Sequence, residues 1–378
     1  MKILLIGEYS NVHATLAEGL RALGQHVTVV SNGDFWKNYP RDIDLSRKPG
    51  KRGGMAYLAH TIALLPKLTG YDVVQLINPM FLELKAQRIA PIYKFLRKHN
   101  KKVFLGAFGM DYYWVHENIT RKPLRYSDFN IGDTLRTDDV ARREQRDWIG
   151  TAKERLNKMI AADCDGIIAG LYEYWVCYKH VHPGKTTFIP YPIKPKTTHP
   201  EQIKGQPNQP LRLFIGISKG RSAYKGTDVM LAAAKAIKAK YPNKIDLRIA
   251  EGVPFEQYAQ MMNGSDAILD QLYSYTPSMN PLEAMSRGII CVGGGEPENY
   301  EILGDKDLKP IINVQPSYDS VCKALEGMVN QPEETVRLKS ESIEYILRYH
   351  HYIKVAQQYL DFYQTTGKTS SGGLFAKQ

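Results

Sequence analysis

Residues 273–301 read YSYTPSMNPLEAMSRGIICVGGGEPENYE, and this stretch decides which fold the chain is expected to adopt. Its pattern predicts, in order, a loop (274–280), a short helix (281–287), a buried strand (289–292) and a second helix start (296–298). Gly288 occupies the place of a helix C-cap, and a glycine triplet follows the strand. Two helix N-termini beside flexible backbone at strand ends are a typical place for a phosphate and a sugar. Any doubly wound domain repeats these elements, so a purely structural interpretation stays open.

The same alternation of strand and helix extends over the first half of the chain. The predicted strands are 2–6, 26–30, 73–77, 103–107 and 166–169. The predicted helices are 12–23 with Asn11 as its N-cap, 55–68, 81–99 and 138–162. Residues 32–54 are polar and rich in basic side chains, so we expect a long loop there.

A proline-rich segment separates the two halves. Residues 189–210 contain six prolines, which neither continue a helix nor complete a central strand. After it the alternation resumes, with strands at 211–215, 245–250 and 267–269 and helices at 227–240, 255–262, 317–330, 332–347 and 353–363. Strands that alternate with helices favour parallel sheets. We therefore predict an α/β fold of two Rossmann-like, doubly wound domains facing a cleft, divided as a first domain (1–192), a linker (193–210), a second domain (211–348), a last helix (349–366) and a disordered tail (367–378).

Composition narrows the functional class. The 378 residues are 43% hydrophobic and 24% charged, no apolar run reaches the ~18 residues of a membrane span, and the first residues predict a strand and not a signal peptide. The four cysteines are scattered without CxxC spacing, which suits a reducing compartment. We therefore expect a cytoplasmic protein.

Positive charge is concentrated in the first half of the chain. Residues 1–192 carry a net charge of +9 and the rest carry +2, within a total of +11. The excess lies in three clusters, which are Arg47, Lys48, Lys51 and Arg52; Arg97, Lys98, Lys101 and Lys102; and Arg142, Arg143 and Arg146. This pattern indicates an anionic partner, such as a membrane surface or a phosphorylated acceptor. No nucleic-acid-binding module is present, so we expect no nucleic acid as partner, and plain solvated surface is the alternative.

Several catalytic motifs are absent from the sequence. The turn after the first strand reads GEYSNVHA, which lacks the GxGxxG fingerprint of dinucleotide-binding enzymes. No P-loop, HExxH or GxSxG motif occurs. His180 and His182 stand beside Pro183, a context that favours a loop over a metal site.

Two cations and one carboxylate stand where a nucleotide diphosphate would bind. Arg221 and Lys225, in ISKGRSAYKGTD, follow the first strand of the second domain and would neutralise a diphosphate as it leaves. Glu283 lies near a helix N-terminus, where its carboxylate would accept hydrogen bonds from ribose hydroxyls. The alternatives are a solvated loop for the two cations and a helix cap for Glu283.

The second half resembles the retaining GT-B glycosyltransferases of glycosyltransferase family 4. The similar segments are FIGISKGRSAYKGTDVMLAAAKAI, PLEAMSRGIICVGGGEPE and RYHHYIKVAQQYLDFY. The resemblance implies that Arg221 and Lys225 bind the diphosphate and that Glu283, the second Glu of the family's Glu-x7-Glu motif, holds the ribose. The first Glu falls on Tyr275 and the following glycines on residues 276–278. This departure points to a divergent subfamily or to an inactive relative.

The resemblance also implies the remaining site residues. The predicted donor-binding set is Gly7, Arg221, Lys225, Tyr275, Ser278, Met279, Asn280 and Glu283. The family places a His, often followed by an acidic residue, after the fourth strand, where this chain reads GAFGMDYYWVHE. Asp111 is the first choice and His116 the second, so the predicted catalytic set is Asp111, His116, Arg221 and Lys225. The last helix is expected to return to the first domain.

In function, the resemblance implies transfer of a hexosyl group from a UDP- or GDP-sugar with retention, without metal or cofactor. A glycan or a lipid-linked acceptor is the expected partner, in cell-envelope polysaccharide synthesis at the inner face of the membrane. A binding protein that has lost catalysis and a nucleotide-sugar epimerase are the alternatives.

Overall fold

The computed structural model describes residues 1–203, 209–218 and 220–367. Apart from Gly367, the predicted disordered tail (367–378) lies outside the described residues. Among the helices described, none combines the length and the apolar character that a membrane span needs.

The first half of the chain forms an α/β domain around a seven-stranded sheet. In chain order its strands are β1 (Lys2–Ile6), β2 (His26–Ser31), β3 (Ile43–Asp44), β4 (Val73–Leu76), β5 (Lys102–Ala107), β6 (Asn130–Ile131), β7 (Thr134–Leu135), β8 (Gly166–Ala169) and β9 (Thr186–Phe188). The helices are α1 (Val12–Ala22), α2 (Gly50–Leu64), α3 (Ala86–His99), α4 (Tyr112–Thr120), α5 (Asp139–Trp148), α6 (Ala152–Asp163) and α7 (Tyr172–Val181). The parallel sheet has the order β3-β2-β1-β4-β5-β8-β9, and β6 and β7 pair separately as an antiparallel ribbon.

The second half repeats this architecture on a smaller scale. Its strands are β10 (Leu211–Ile217), β11 (Ile245–Glu251), β12 (Ala267–Leu269), β13 (Ile290–Gly293) and β14 (Ile312–Asn313). Its helices are α8 (Ser222–Lys225), α9 (Thr227–Lys240), α10 (Phe255–Met262), α11 (Met279–Met285), α12 (Pro297–Leu303), α13 (Tyr318–Asn330), α14 (Pro332–Tyr345) and α15 (Tyr352–Thr365). The strands form a parallel sheet of order β11-β10-β12-β13-β14.

The predicted pair of doubly wound parallel-sheet domains is confirmed. The residues of β4 and β8 are buried throughout and, apart from Gln75, apolar, as strands covered by helices on both faces should be. The strand order reverses beside β1 in the first sheet and beside β10 in the second. Loops that leave a parallel sheet at such a switch point form the usual ligand-binding crevice of doubly wound domains.

Local predictions failed where a helix boundary depends on a single residue. The predicted long helix 138–162 is two helices, because Gly150 adopts a left-handed conformation (φ +72°) and Thr151 caps α6 by accepting from the Lys153 amide. The predicted loop 32–54 contains β3, and α2 begins at Gly50. Asn11 does not cap α1 with its side chain; instead the Glu8 carboxylate accepts from the His13 and Ala14 amides at 3.3 and 2.8 Å.

The last helix, α15, packs on the first domain against α1. A Cβ at Gly19 of α1 would lie 2.5 Å from the Tyr352 carbonyl oxygen, so this glycine permits the close approach of the two helices. At the far end of α15 the Tyr363 ring packs 4.7 Å from Phe104. Its hydroxyl lies 3.3 Å from Oε1 of Gln75 on β4. The chain therefore ends, as far as it is described, on the domain where it began.

Candidate functional site

The predicted donor-binding segments flank the switch point of the second sheet. Arg221 and Lys225 follow β10, and residues 278–280 follow β12, the neighbouring strand. The two segments are in contact, because the Leu272 amide donates to the Lys225 carbonyl at 3.0 Å. A Cβ at Gly226 would lie 2.5 Å from the Leu272 Cβ, so the glycine allows this packing.

Arg221 and Lys225 offer two positive charges that form no ion pair among the described residues. The Arg221 side chain is exposed and its guanidinium lies 5.3 Å from the centre of the Tyr224 ring. Within residues 1–203, 209–218 and 220–367, no carboxylate lies within ion-pair distance of either side chain. Two unpaired positive charges at the carboxyl end of a parallel strand can accept an anionic group such as a diphosphate.

The segment Ser278–Met279–Asn280 is held in place by a residue that the sequence analysis missed. Asp270, directly after β12, accepts from Asn280 Nδ2 at 3.0 Å and lies 3.5 Å from the Ser278 hydroxyl. Asn280 also donates to the Tyr258 hydroxyl at 2.9 Å. Met279 is buried beneath the turn. These bonds hold the segment in position before any ligand binds. The place of Asp270 directly after a predicted strand is the sequence feature by which it could have been found.

Glu283 lies one turn further along α11, with one carboxylate oxygen engaged. Its Oε1 accepts from Arg287 Nη2 at 2.8 Å and lies 3.4 Å from Lys196 Nζ, while the side chain is 33% exposed. No described residue bonds Oε2. An ion-paired carboxylate with one free, accessible oxygen can still accept from ribose hydroxyls.

Tyr275, which stands at the position of the missing Glu, is buried between the two domains. Its hydroxyl accepts from the Arg125 amide at 2.6 Å, and the Arg125 guanidinium lies 4.9 Å above its ring. The rings of Tyr126 and Tyr172 pack 4.9 and 6.2 Å away. The side chain therefore joins the halves of the molecule.

A buried carboxylate of the first domain fixes the backbone on either side of Tyr275. Oε1 of Glu173, on α7, accepts from the amides of Tyr275 and Thr276 at 2.7 and 3.0 Å and from the Ser274 hydroxyl at 3.1 Å. Its Oε2 accepts from the Thr276 hydroxyl at 2.5 Å. Burial raises the pKa of Glu173, and these hydrogen bonds oppose that rise. Sequence reasoning missed Glu173 because its partners lie about a hundred positions away.

Asp111 and His116, the predicted catalytic residues of the first domain, mainly make contacts within their own domain. Asp111 is fully buried at the N-cap of α4, where it accepts from the Trp114 amide at 2.9 Å and the Tyr178 hydroxyl at 2.7 Å. Burial raises the pKa of Asp111 to about 7. His116 is 38% exposed and its Nδ1 lies 3.4 Å from Glu117.

Gly7 ends β1 at the switch point of the first sheet. It has a φ of +86°, and a Cβ there would lie 2.3 Å from Ile77 Cγ2. Only a glycine therefore lets β1 and the β4 connection approach this closely. Its amide donates to the Val30 carbonyl and its carbonyl contacts His13 Nδ1, so the structure gives this residue a packing role.

Asp128 connects the two predicted parts of the site and was not anticipated. It accepts from Trp114 Nε1 of α4 at 3.2 Å and from the Tyr224 hydroxyl of α8 at 2.6 Å. Burial raises its pKa, opposed by the Tyr224 bond and by the nearby Arg136 and Arg221 charges. One carboxylate thus brings α4, with Asp111 as its N-cap and His116 within it, next to α8, with Arg221 as its N-cap and Lys225 as its last residue.

Comparison with known proteins identifies the fold. No protein-family model and no curated protein matches the sequence. Sucrose-phosphate synthase from Thermosynechococcus elongatus is similar with a TM-score of 0.61 at 14% identity, over 96% of this chain and 98% of that chain. HepE from Anabaena, in complex with UDP and glucose, is similar with a TM-score of 0.58 at 10% identity, over 96% and 99%.

A UDP-GlcNAc 2-epimerase from Neisseria meningitidis, bound to UDP-GlcNAc, is similar with a TM-score of 0.52 at 12% identity, over 96% of this chain and 99% of that chain. A synthase and an epimerase thus share this architecture, and at such identities the likeness defines the fold alone. The two parallel-sheet domains of this chain match the GT-B fold of these neighbours.

Proposed function

We propose that this chain is a glycosyltransferase that moves a sugar from a nucleotide-diphosphate sugar to an acceptor. The observation that carries the proposal is the pair Arg221 and Lys225, two cations that form no ion pair with any described residue, beside the switch point of the second sheet. A nucleotide-diphosphate sugar supplies the missing negative charge, and fixed cations stabilise the diphosphate as it leaves. The donor would lie on the second domain and the acceptor on the first.

The other residues of the second domain supply the remaining donor contacts. Glu283 offers Oε2 to the ribose, and the turn of Ser278, Met279 and Asn280, held by Asp270, contacts the sugar end. Gly7 and Tyr275 act through packing, Gly7 by closing the switch point of the first sheet and Tyr275 by joining the domains.

Family resemblance supports a hexosyl transfer from UDP- or GDP-sugar with retention, in which side chains and not a metal ion neutralise the diphosphate. Of the two predicted first-domain candidates, His116 reaches the surface, whereas Asp111 keeps α4 in place. Closure of the cleft would exclude water and limit hydrolysis of the donor.

The proposed acceptor is inferred from the positive charge of the first domain. The basic first domain suits a glycan or lipid-linked acceptor at the inner face of a membrane, as in cell-envelope polysaccharide synthesis. Sedimentation with vesicles checks this: the protein should pellet with anionic vesicles and not with zwitterionic ones, and the binding should weaken with salt. Equal sedimentation with both kinds of vesicle would count against an anionic membrane surface as partner.

The decisive test separates a transferase from the epimerase and the binding protein on the same fold. The protein is incubated with a nucleotide-sugar that it binds, with and without candidate acceptors, and the sugar is followed by NMR. A transferase releases nucleotide diphosphate in an acceptor-dependent way and forms a new glycosidic bond with the donor's anomeric configuration. Conversion of the donor sugar without acceptor would make it an epimerase, and tight binding without either reaction would make it a binding protein.

A further inference from the structure

A cationic cavity lies in the first domain, away from Arg221 and Lys225. It has a volume of about 550 Å³ and lies between the start of α2, the connection from β4 to α3, and the connection from α5 to α6. Four cations and two carboxylates line it, namely Arg47, Lys85, Arg88, Lys153, Glu83 and Asp147. Small-molecule sites typically have volumes in this range.

The cations of the cavity outnumber the carboxylates that neutralise them. Glu83 already accepts from Asn32 Nδ2, and Asp147 lies 3.3 Å from Lys153 Nζ. In the part of the chain that the structure describes, no carboxylate lies within ion-pair distance of Arg47, Lys85 or Arg88. Three unpaired cations around one cavity repel each other, and an anion that enters would relieve this repulsion.

Local packing places one of these cations over the cavity. Gly53 and Gly54 lie in the first turn of α2, where a Cβ would be 2.1 Å from the Lys48 carbonyl oxygen and 3.0 Å from Arg47 Nη2, respectively. The two glycines therefore let the Arg47–Lys48 segment lie directly on α2. Lys51 and Arg52, on the same turn, are exposed and add to the positive potential.

The cavity is also placed where an acceptor would approach. Its central wall, the connection from β4 to α3, leaves the first sheet at the switch point between β1 and β4. One of the three basic clusters in the sequence contributes to its lining, since Arg47 belongs to the first cluster. This cluster had no role in the donor site.

We propose that this cavity binds a phosphate group, as a phosphomonoester or a diphosphate, carried by the acceptor. A phosphomonoester has close to two negative charges at neutral pH, and Arg47 and Arg88 offer planar guanidinium groups that pair with phosphate oxygens in a bidentate way. The identification of the ligand as the acceptor rests on the proposed glycosyl transfer, whereas anion binding at the cavity does not.

Titration calorimetry of inorganic pyrophosphate into the full chain tests the proposal. The measurement is made on Arg221→Ala protein, so that the proposed donor site does not contribute. Adding Lys85→Gln and Arg88→Gln should weaken pyrophosphate binding about tenfold to a hundredfold, because charged hydrogen bonds are lost. Lys98→Gln is the matched control, since Lys98 is exposed at the other end of the same helix, and it should change nothing.

Equal pyrophosphate affinity in the Lys85→Gln/Arg88→Gln protein and the Lys98→Gln control would overturn the proposal. The Lys85→Gln/Arg88→Gln substitutions are also made in protein that retains Arg221, and UDP binding is measured there. A failure of the cavity proposal is then distinct from a failure of the donor site. Loss of pyrophosphate binding at the cavity with UDP binding intact supports the cavity as a separate site.

The source of the phosphate is resolved by flotation with phosphatidylcholine vesicles, with and without phosphatidic acid, whose headgroup is a phosphomonoester. Binding that requires phosphatidic acid and falls in the Lys85→Gln/Arg88→Gln protein supports a lipid-borne phosphate. Binding of pyrophosphate alone, with no vesicle binding, supports a soluble phosphorylated acceptor. Absence of both overturns the assignment.

Discussion

Arg221 offers the sharpest test of the donor site at the level of a single side chain. Because its guanidinium has no counterion within the described residues, Arg221→Ala should leave the fold intact and remove a direct diphosphate contact. We expect nucleotide diphosphate affinity to fall about tenfold to a hundredfold and turnover to fall with it. Lys238→Ala, an exposed cation on α9, is the control. Similar calorimetric affinities in the two variants would remove Arg221 from the site.

Asp111 makes a prediction about pH and stability. Its folded pKa of about 7 lies above the ordinary value of 3.8, so between these values the native state binds more protons than the unfolded state. The free energy of unfolding should therefore decrease as pH rises through this window, by about 1.4 kcal/mol per pH unit for this one group. Asp111→Asn keeps the N-cap acceptor but does not titrate.

Chemical denaturation of both proteins across this pH range measures the difference. Glu8, whose pKa burial raises to about 8, contributes a slope of the same sign to both proteins and cancels in the comparison. The stability of the Asn variant should fall less steeply with pH than that of the wild type. Parallel curves would mean that the Asp111 carboxyl ionises in the folded state as it does in the unfolded chain.

A local sequence pattern was enough to predict which candidate residues lie near each other. Arg221, Lys225 and residues 278–280 follow strand ends, and the structure brings them to one switch point. Sequence reasoning did not locate Glu173 or Asp128, because their partners in the second domain are 96 to 103 positions away in the chain. The donor-binding role of Tyr275 stays a prediction; the contact of its buried side chain with Arg125, 150 positions away, was not foreseen.

At the scale of elements, the loop from β12 to α11 depends on Glu173 of α7. Glu173→Ala would leave the buried Tyr275 and Thr276 amides without an acceptor, and buried unsatisfied donors cost about 1–3 kcal/mol each. We expect the free energy of unfolding to fall by about 3 kcal/mol or more, with Glu173→Gln intermediate because it retains Oε1. Denaturant titration gives both values, and a wild-type stability in the Ala variant would contradict the assignment.

The contact of α1 with α15 makes a second prediction at this scale. Gly19→Ala would place a methyl group 2.5 Å from the Tyr352 carbonyl oxygen, which forces the two helices apart. Overpacking of this kind costs about 1–3 kcal/mol, so the midpoint of thermal unfolding should fall. Gly184→Ala is the control, because nothing lies within 4 Å of a Cβ at that position. Equal midpoints in the two variants would show that α15 moves away from α1 without a loss of stability.

The alternation of apolar strands and amphipathic helices was enough to predict the two parallel sheets. Burial on both faces produces continuous apolar strands, and this signal is local. Boundaries were less predictable: α5 and α6 read as one helix because the sequence pattern does not show that Gly150 takes a positive φ. The two-residue strands β3, β6, β7 and β14 were missed because a strand of two residues has no periodicity to detect.

At the scale of the whole molecule, the two domains meet beside the loop from β12 to α11. Arg125 of the first domain pairs with Glu296 and Glu298 of the second at 2.7 and 2.5 Å. Burial opposes ionisation of Glu296, but the bonds from Tyr126, Asn313 and Gln315 and the Arg125 charge outweigh it and lower its pKa. Together with the bonds from Glu173 of α7 to the loop from β12 to α11, these contacts fix the proposed donor side before a ligand arrives, which reduces the entropy lost on binding.

A thermal-shift screen of the wild-type protein against UDP, GDP, ADP, CMP and their sugars tests the central claim most directly. A ligand that binds only the folded state raises the unfolding midpoint in proportion to ln(1 + [L]/Kd). We predict a concentration-dependent rise with one nucleoside diphosphate and its sugar, and its loss in Arg221→Ala. A well-folded sample whose midpoint responds to none of these ligands would contradict the claim that the second domain binds a nucleotide-sugar.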